Sequence, residues 1–219
     1  MTRPDVKFCG LTRPADAALA AELGARYVGA ILADGPRLLT PARAREVLSA
    51  ATGPARVAVM GEGTPESLVA AGQEAGADIL QLHGDPGLGD LERLRTLWPG
   101  RLWVVIRVGA EGLPADAAAR AELADAVLLD AKVSGRLGGT GQAFDWRTVT
   151  QDVAALRSKC TIVLAGGLTP DNISRALDVL SPHVVDVSSG VESAPGIKDA
   201  ARMRAFMSVV THWHPPTNA

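Results

Sequence analysis

The chain has few of the features that would take it outside a reducing compartment or onto a charged polymer. Cys9 and Cys160 are its only cysteines, one at the end of an apolar run and one just before another, so no disulfide framework is available. Aromatic residues make up only 4% and the formal net charge is −2, which leaves neither a basic stripe nor stacking platforms for bases and excludes nucleic acid as a partner. No apolar run approaches the ~18 residues of a membrane span, and no basic-then-apolar leader opens the chain. A soluble cytoplasmic protein that meets no membrane is therefore expected. Clustered metal ligands are also missing. His212 and His214 stand two apart with no third ligand nearby, a poor site, so no metal is expected. No G-x-G-x-x-G follows the first apolar run, which removes the signature of an open dinucleotide-binding sheet.

What is present is a regular alternation. Apolar runs bounded by turn residues fall at 6–8, 27–32, 56–60, 79–83, 102–108, 126–130, 161–165 and 184–187. Helical patterns lie between them. Three carry a Thr followed by Pro at the first helical position: Thr40-Pro41 opens 42–51, Thr64-Pro65 opens 66–75, and Thr169-Pro170 opens 171–180. Eight strands that read as buried runs, each followed by a helix, predict an α/β chain closed into a single (β/α)8 barrel over residues 1–219, with a frayed tail from about 212. An open doubly wound sheet is the runner-up. With 219 residues and 47% hydrophobic content there is one large core and no room for a second domain.

In such a barrel the chemistry gathers at the C-terminal ends of the strands. There stand Cys9, a loop ending in Arg37, His83, Arg107, Asp130, the glycines Gly139 and Gly141, Gly166-Gly167, and Asp186 with Ser188-Ser189-Gly190. Lys7 and Cys9 are two apart in a strand and share a face, so the cation is expected to favour thiolate at Cys9. The plainer reading makes Cys9 a small buried filler. Gly166, Gly167 and Ser188-Ser189-Gly190 offer bare backbone N–H groups after strands seven and eight, where this fold holds phosphate.

Six motifs occur in order: Lys7-x-Cys9-Gly10-x-Thr12, Gly35-Pro36-Arg37, Gln81-Leu82-His83-Gly84, Leu129-Asp130 followed by Gly138-Gly139-Thr140-Gly141, Ala165-Gly166-Gly167-Leu168-x-Pro170-x-Asn172, and Asp186-Val187-Ser188-Ser189-Gly190-Val191-Glu192. Together they resemble the phosphoribosylanthranilate isomerase family of tryptophan biosynthesis, nearly end to end. The resemblance implies an Amadori rearrangement of N-(5-phosphoribosyl)anthranilate without metal or cofactor. It makes Asp130 the general acid, Cys9 the general base and Arg37 the holder of the anthranilate carboxylate. Lys7, His83, Arg107 and Asp186 are further substrate-binding candidates, and Gly139, Gly141, Gly166, Gly167, Ser188, Ser189 and Gly190 the phosphate site. A thiol needs its pKa lowered to act as base, and Lys7 with the loop N–H groups is expected to lower it. The partner implied is a small phosphorylated sugar-anthranilate, and the chain a monomer or homodimer. Two departures touch the aromatic side of the substrate: the third strand ends Val59-Met60-Gly61-Glu62 without an aromatic residue, and Gly35 precedes Pro36 where serine is commoner.

His83 is the rival for proton transfer, since imidazole titrates near neutrality. A histidine in a tight His-Gly turn is more often structural. Asp145 is expected to cap helix six, and the glycine-rich stretch 135–141 to form a mobile loop over the site. Three other functions compete. A different phosphate-binding barrel enzyme of the metal-dependent epimerase kind would bring paired carboxylates and a metal site, and a non-catalytic sugar-phosphate-binding module would bind without turnover. A bifunctional isomerase would carry an aspartate where Cys9 stands.

Overall fold

The computed structural model describes residues 3–109, 112–131 and 146–215. Eight parallel strands close into a barrel: β1 (Asp5–Phe8), β2 (Tyr27–Leu32), β3 (Ala55–Met60), β4 (Ile79–Leu82), β5 (Arg101–Val108), β6 (Ala126–Ala131), β7 (Thr161–Leu164) and β8 (Val184–Val187). Each pairs with its sequence neighbours, and β1 closes on β8 with Lys7 opposite Asp186. Between them run α1 (Pro14–Glu22), α2 (Pro41–Ser49), α3 (Pro65–Glu74), α4 (Leu88–Leu97), α5 (Ala117–Leu123), α6 (Thr150–Leu156) and α7 (Ile173–Leu180), and α8 (Ala200–His212) follows the eighth strand. A short hairpin, β9 (Glu192–Ala194) and β10 (Ile197–Lys198), sits between β8 and α8.

Strand periodicity sorts the side chains. Val6 and Phe8 face outward against the helices, Phe8 meeting Phe206 of α8 edge to face at 6.3 Å. Lys7 and Cys9 therefore face inward. The lower interior is a packed apolar plug of Tyr27, Val57, Ile79, Trp103, Val105, Ala126, Leu128, Val163 and Val184, with Tyr27 and Trp103 in a T-shaped pair at 4.9 Å. Two residues further along the same rows, at the C-terminal mouth, polar groups take over: Gln81 follows Ile79, Asp130 follows Leu128 and Asp186 follows Val184. The inner row of each strand is thus apolar below and functional above.

Helix starts follow local chemistry. Thr40 and Thr64 accept hydrogen bonds from the N–H groups of Arg43 and Ser67, as their Thr-Pro signals predict. The third signal fails. α7 begins at Ile173 rather than at 171, because Asn172 Oδ1 takes the Thr169 N–H at 2.8 Å and its amide donates to the Gly167 carbonyl at 2.8 Å, folding residues 169–172 into a turn. The tail expected to fray from about 212 is pinned at Trp213, which is buried and donates Nε1–H to Asp178 at 2.8 Å. Asp78 and Asp125, at the opposite rim, accept the N–H groups of Arg56 and Leu102 at 2.8 Å and so satisfy strand ends. No helix among the described residues is long and apolar enough to cross a membrane.

Candidate active site

A cavity of about 400 Å³ opens at the C-terminal mouth of the barrel, within the range of small-molecule sites. Cys9, Arg37, His83, Asp130, Gly166, Gly167, Asp186, Ser188 and Ser189 all line it, so the structure brings most of the sequence-derived candidates to one place. Gly139, Gly141 and the stretch 135–141 lie outside the described residues, as does Asp145.

Beneath the cavity floor a charged cluster is sealed in. Lys7 is fully buried, with Nζ 2.8 Å from Asp186 Oδ2. It is not among the residues that line the cavity and lies one layer behind them. Burial works against its charge, yet Asp186 and the neighbouring thiol outweigh that and hold its pKa above the usual lysine value. Gly29 on β2 makes the space for this arrangement: a Cβ there would lie 3.1 Å from both Cys9 Sγ and Lys7 Cε.

Cys9 is buried, and burial pushes its thiol above the ordinary range. Lys7 pulls in the other direction without prevailing, and Asp186 adds to the rise. Lys7 thus acts in the expected direction, but burial outweighs it and the net shift is upward, opposite to the lowering expected. The cation is already paired, and a desolvated thiolate is costly.

Asp186 keeps its second oxygen, Oδ1, buried and, among the described residues, without a hydrogen-bond partner. Nearby, Gln81 Oε1 and His83 Nδ1 are likewise buried and without a partner among the described residues. All three residues line the cavity, so the Asp186 and Gln81 oxygens are suited to hydroxyl or N–H donors of a ligand, and His83 Nδ1 to a donor or an acceptor according to its tautomer. Burial, with Arg107 and Lys7 nearby, lowers the His83 pKa to about 4, so its imidazole is neutral at physiological pH. Arg107 turns its Nη2 onto the His83 carbonyl at 2.8 Å, a tie between strand ends, and is not among the residues that line the cavity. Gln81 went unassigned in the sequence, although a lone amide inside Ile79-Leu80-Gln81-Leu82 is a polar interruption of a buried strand.

Arg37 enters from the loop after β2. Its Nε and Nη2 grip Glu192 at 2.8 and 2.6 Å, a bidentate pair. Burial raises the Glu192 pKa, but Arg37 and Lys198 outweigh it and hold the carboxyl below its usual value. Loops seven and eight meet as expected at Gly166 and Gly167, both at positive φ, and at Ser188 and Ser189. Gly190 is the exception: it packs against the Leu168 carbonyl, where a Cβ would lie 1.9 Å from the oxygen, and it does not line the cavity. Its role is to let the two loops touch. Among the described residues no group of three or more His, Cys, Asp or Glu is placed to hold a metal ion.

With this geometry in view, the chain can be set beside known proteins. A family model described as N-(5'phosphoribosyl)anthranilate (PRA) isomerase matches residues 6–209. An N-(5'-phosphoribosyl)anthranilate isomerase of Pseudomonas aeruginosa is 42% identical over 209 residues, covering 94% of each chain. One from Haloferax volcanii is 41% identical over 214 residues, covering 95% of this chain and 92% of that one. Among solved structures, phosphoribosyl anthranilate isomerase from Thermus thermophilus superposes with a TM-score of 0.82 at 31% identity, over 94% of this chain and 98% of that one. A phosphoribosyl anthranilate isomerase in complex with reduced 1-(o-carboxyphenylamino)-1-deoxyribulose 5-phosphate gives 0.79 at 28% identity, over 95% and 98%.

Proposed function

Since the chain belongs to the N-(5'-phosphoribosyl)anthranilate isomerase family, we propose that Asp130 and Cys9 are the acid and base of its reaction. The chain is an isomerase of tryptophan biosynthesis, converting N-(5-phosphoribosyl)anthranilate to 1-(2-carboxyphenylamino)-1-deoxyribulose 5-phosphate by Amadori rearrangement. Asp130, as the carboxylic acid, protonates the furanose ring oxygen while the C1′–O bond breaks and the nitrogen lone pair forms an iminium. Cys9, as thiolate, removes the C2′ proton, and the electron pair moves to give an enolamine. C1′ then gains a proton as the enol oxygen loses one, so the net change is the isomerisation.

What carries this reading is one juxtaposition: Cys9 and Asp130 face a single cavity from β1 and β6, with the bare backbone of Gly166-Gly167 and Ser188-Ser189 on its rim. Phosphate at that rim places the sugar over the acid/base pair. The Nη1–Nη2 edge of Arg37, left free by Glu192, is the planar fork suited to the anthranilate carboxylate. Asp186 Oδ1 and Gln81 Oε1 supply acceptors along the sugar, and His83 Nδ1 a further hydrogen-bonding position. The low His83 pKa makes a weak base, which favours Cys9 for the C2′ proton.

A small phosphorylated molecule is thus the partner. The two free thiols are in keeping with the cytoplasm. A monomer or homodimer is in keeping with the Thermotoga maritima relative described as dimeric with generated monomers. The test is turnover and product-analogue binding in Cys9→Ala and Asp130→Asn: loss of turnover with binding kept supports the assignment, and near-parental turnover in either overturns it.

A further inference from the structure

Glu192 opens the hairpin that follows loop eight, and both its oxygens are engaged. Oε1 accepts from Arg37 Nε and from Lys198 Nζ, each at 2.8 Å, and Oε2 accepts from Arg37 Nη2 at 2.6 Å. Lys198 has a fully buried side chain and also donates to the Ser188 carbonyl at 3.0 Å. Gly10, directly after Cys9, lets Arg37 and Ser188 approach: a Cβ there would lie 2.6 Å from Arg37 Cδ and 2.7 Å from Ser188 Oγ. One carboxylate therefore ties the arginine at the cavity wall to the loop-eight backbone.

Two consequences follow from this bonding. Arg37 has a long, rotamer-rich side chain, yet its Nε–Nη2 edge is fixed, so its outer Nη1–Nη2 edge has one orientation, with no protein partner among the described residues. The cluster of Arg37, Lys198 and Glu192 also carries one net positive charge, which one ligand carboxylate would neutralise. Displacing Glu192 is unfavourable, because its Oε2 would lose its partner while remaining buried. An incoming carboxylate therefore adds to the pair instead of replacing it.

We propose that Glu192, held by Lys198, is a positioning residue that presents Arg37 to the aryl carboxylate of the substrate and so sets selectivity for carboxylated ligands. The inference rests on the reading of Arg37 as the carboxylate contact. Glu192 touches no reacting atom in this scheme, so its effect falls on binding of one substituent and not on the proton transfers.

The experiment measures inhibition constants for reduced 1-(o-carboxyphenylamino)-1-deoxyribulose 5-phosphate and for the same compound without its ring carboxylate, in the parent, Arg37→Ala and Glu192→Gln. The ratio of the two constants is the carboxylate selectivity. Arg37→Ala should bring it close to unity. Glu192→Gln should lower it by about tenfold, the scale of immobilising one long side chain at binding, with the carboxylate-free compound binding nearly as in the parent. A selectivity that is unchanged or increased in Glu192→Gln, while Arg37→Ala abolishes it, overturns the positioning role alone. Parental selectivity in Arg37→Ala overturns the Arg37 reading itself. Should the glutamine variant not fold, Glu192→Asp, too short to span Arg37 and Lys198 together, must show the same reduced ratio, and parental selectivity there overturns the proposal.

Discussion

Lys7 and Asp186 are register partners across the seam that closes the barrel, and they are also an ion pair, with Nζ 2.8 Å from Oδ2. The cation nearest the Cys9 thiol is thereby shared with a carboxylate before any ligand arrives. Replacing Lys7 with Met strands Asp186 as a buried unpaired charge, which should cost roughly 3–5 kcal/mol of stability. It also removes the group that pulls the Cys9 pKa down. Denaturant unfolding and ultraviolet titration of the Cys9 thiolate test the two effects, and a thiol that titrates as in the parent would mean that Lys7 does not act on it.

Cys9→Ala and Asp130→Asn should each lose about 10²- to 10⁴-fold in kcat while still binding a product analogue. Because burial lifts the Cys9 thiol, its ionisation in the protein, read as the thiolate ultraviolet absorbance lost in Cys9→Ala, should occur above the ordinary thiol range. Cys9→Ser should be poor as well, since an alcohol is harder to deprotonate than a thiol. If Cys9→Ala keeps its kcat and His83→Ala abolishes it, the base is His83.

His83 should also mark the acid stability of the protein. Its folded pKa of about 4 lies below the ordinary 6.5, so between those values the unfolded chain binds a proton that the folded one does not. Stability therefore falls as pH drops from 6.5 towards 4 and this contribution levels off below that, with a total of up to about 3 kcal/mol. His83→Asn should flatten that segment in pH-dependent unfolding. A parental slope in the variant would assign it to other groups.

Much of this architecture is legible in the sequence, because a parallel barrel strand is buried on both faces and appears as an unbroken apolar run. The run 27–32 coincides with β2 and 184–187 with β8, and the other strands differ from their runs by one residue at an end. Thr40 and Thr64 cap as read, for capping is decided within three residues. Thr169 does not, since Asn172 offers its backbone N–H a competing acceptor. What the sequence leaves out is pairing at a distance. Lys7 beside Cys9 reads as an activating cation until Asp186, 179 positions away, engages it. Arg37 likewise meets Glu192 across 155 positions, and Arg107 meets the backbone carbonyl of His83.

Gly29→Ala tests how tightly the floor is packed. The added methyl would sit 3.1 Å from Cys9 Sγ and Lys7 Cε, forcing one of them to move. The neighbour must give by a few tenths of an ångström, less than the ~1 Å that costs roughly 10²-fold at a reacting group, so kcat should drop by up to about 10-fold with the fold retained. Parental kcat would show that the floor yields without moving the thiol.

Inorganic phosphate should raise the melting temperature by binding the folded state alone. Gly167→Val, a substitution at φ +64° on the cavity rim, should lower the baseline and also erase the phosphate-dependent increment. Only the increment bears on the site. If it persists at parental size, phosphate is held elsewhere.

The contact of Gly190 with the Leu168 carbonyl reaches beyond local packing. With no side chain between them, the backbones after β7 and β8 pack directly on one another, and the two loops are expected to open as one cooperative unit. Amide hydrogens at Leu168 and at Gly190 should then exchange with closely similar protection, and an anion held by either loop should slow exchange in both. Two segments 22 positions apart in the chain would then answer to one ligand as a single mechanical part.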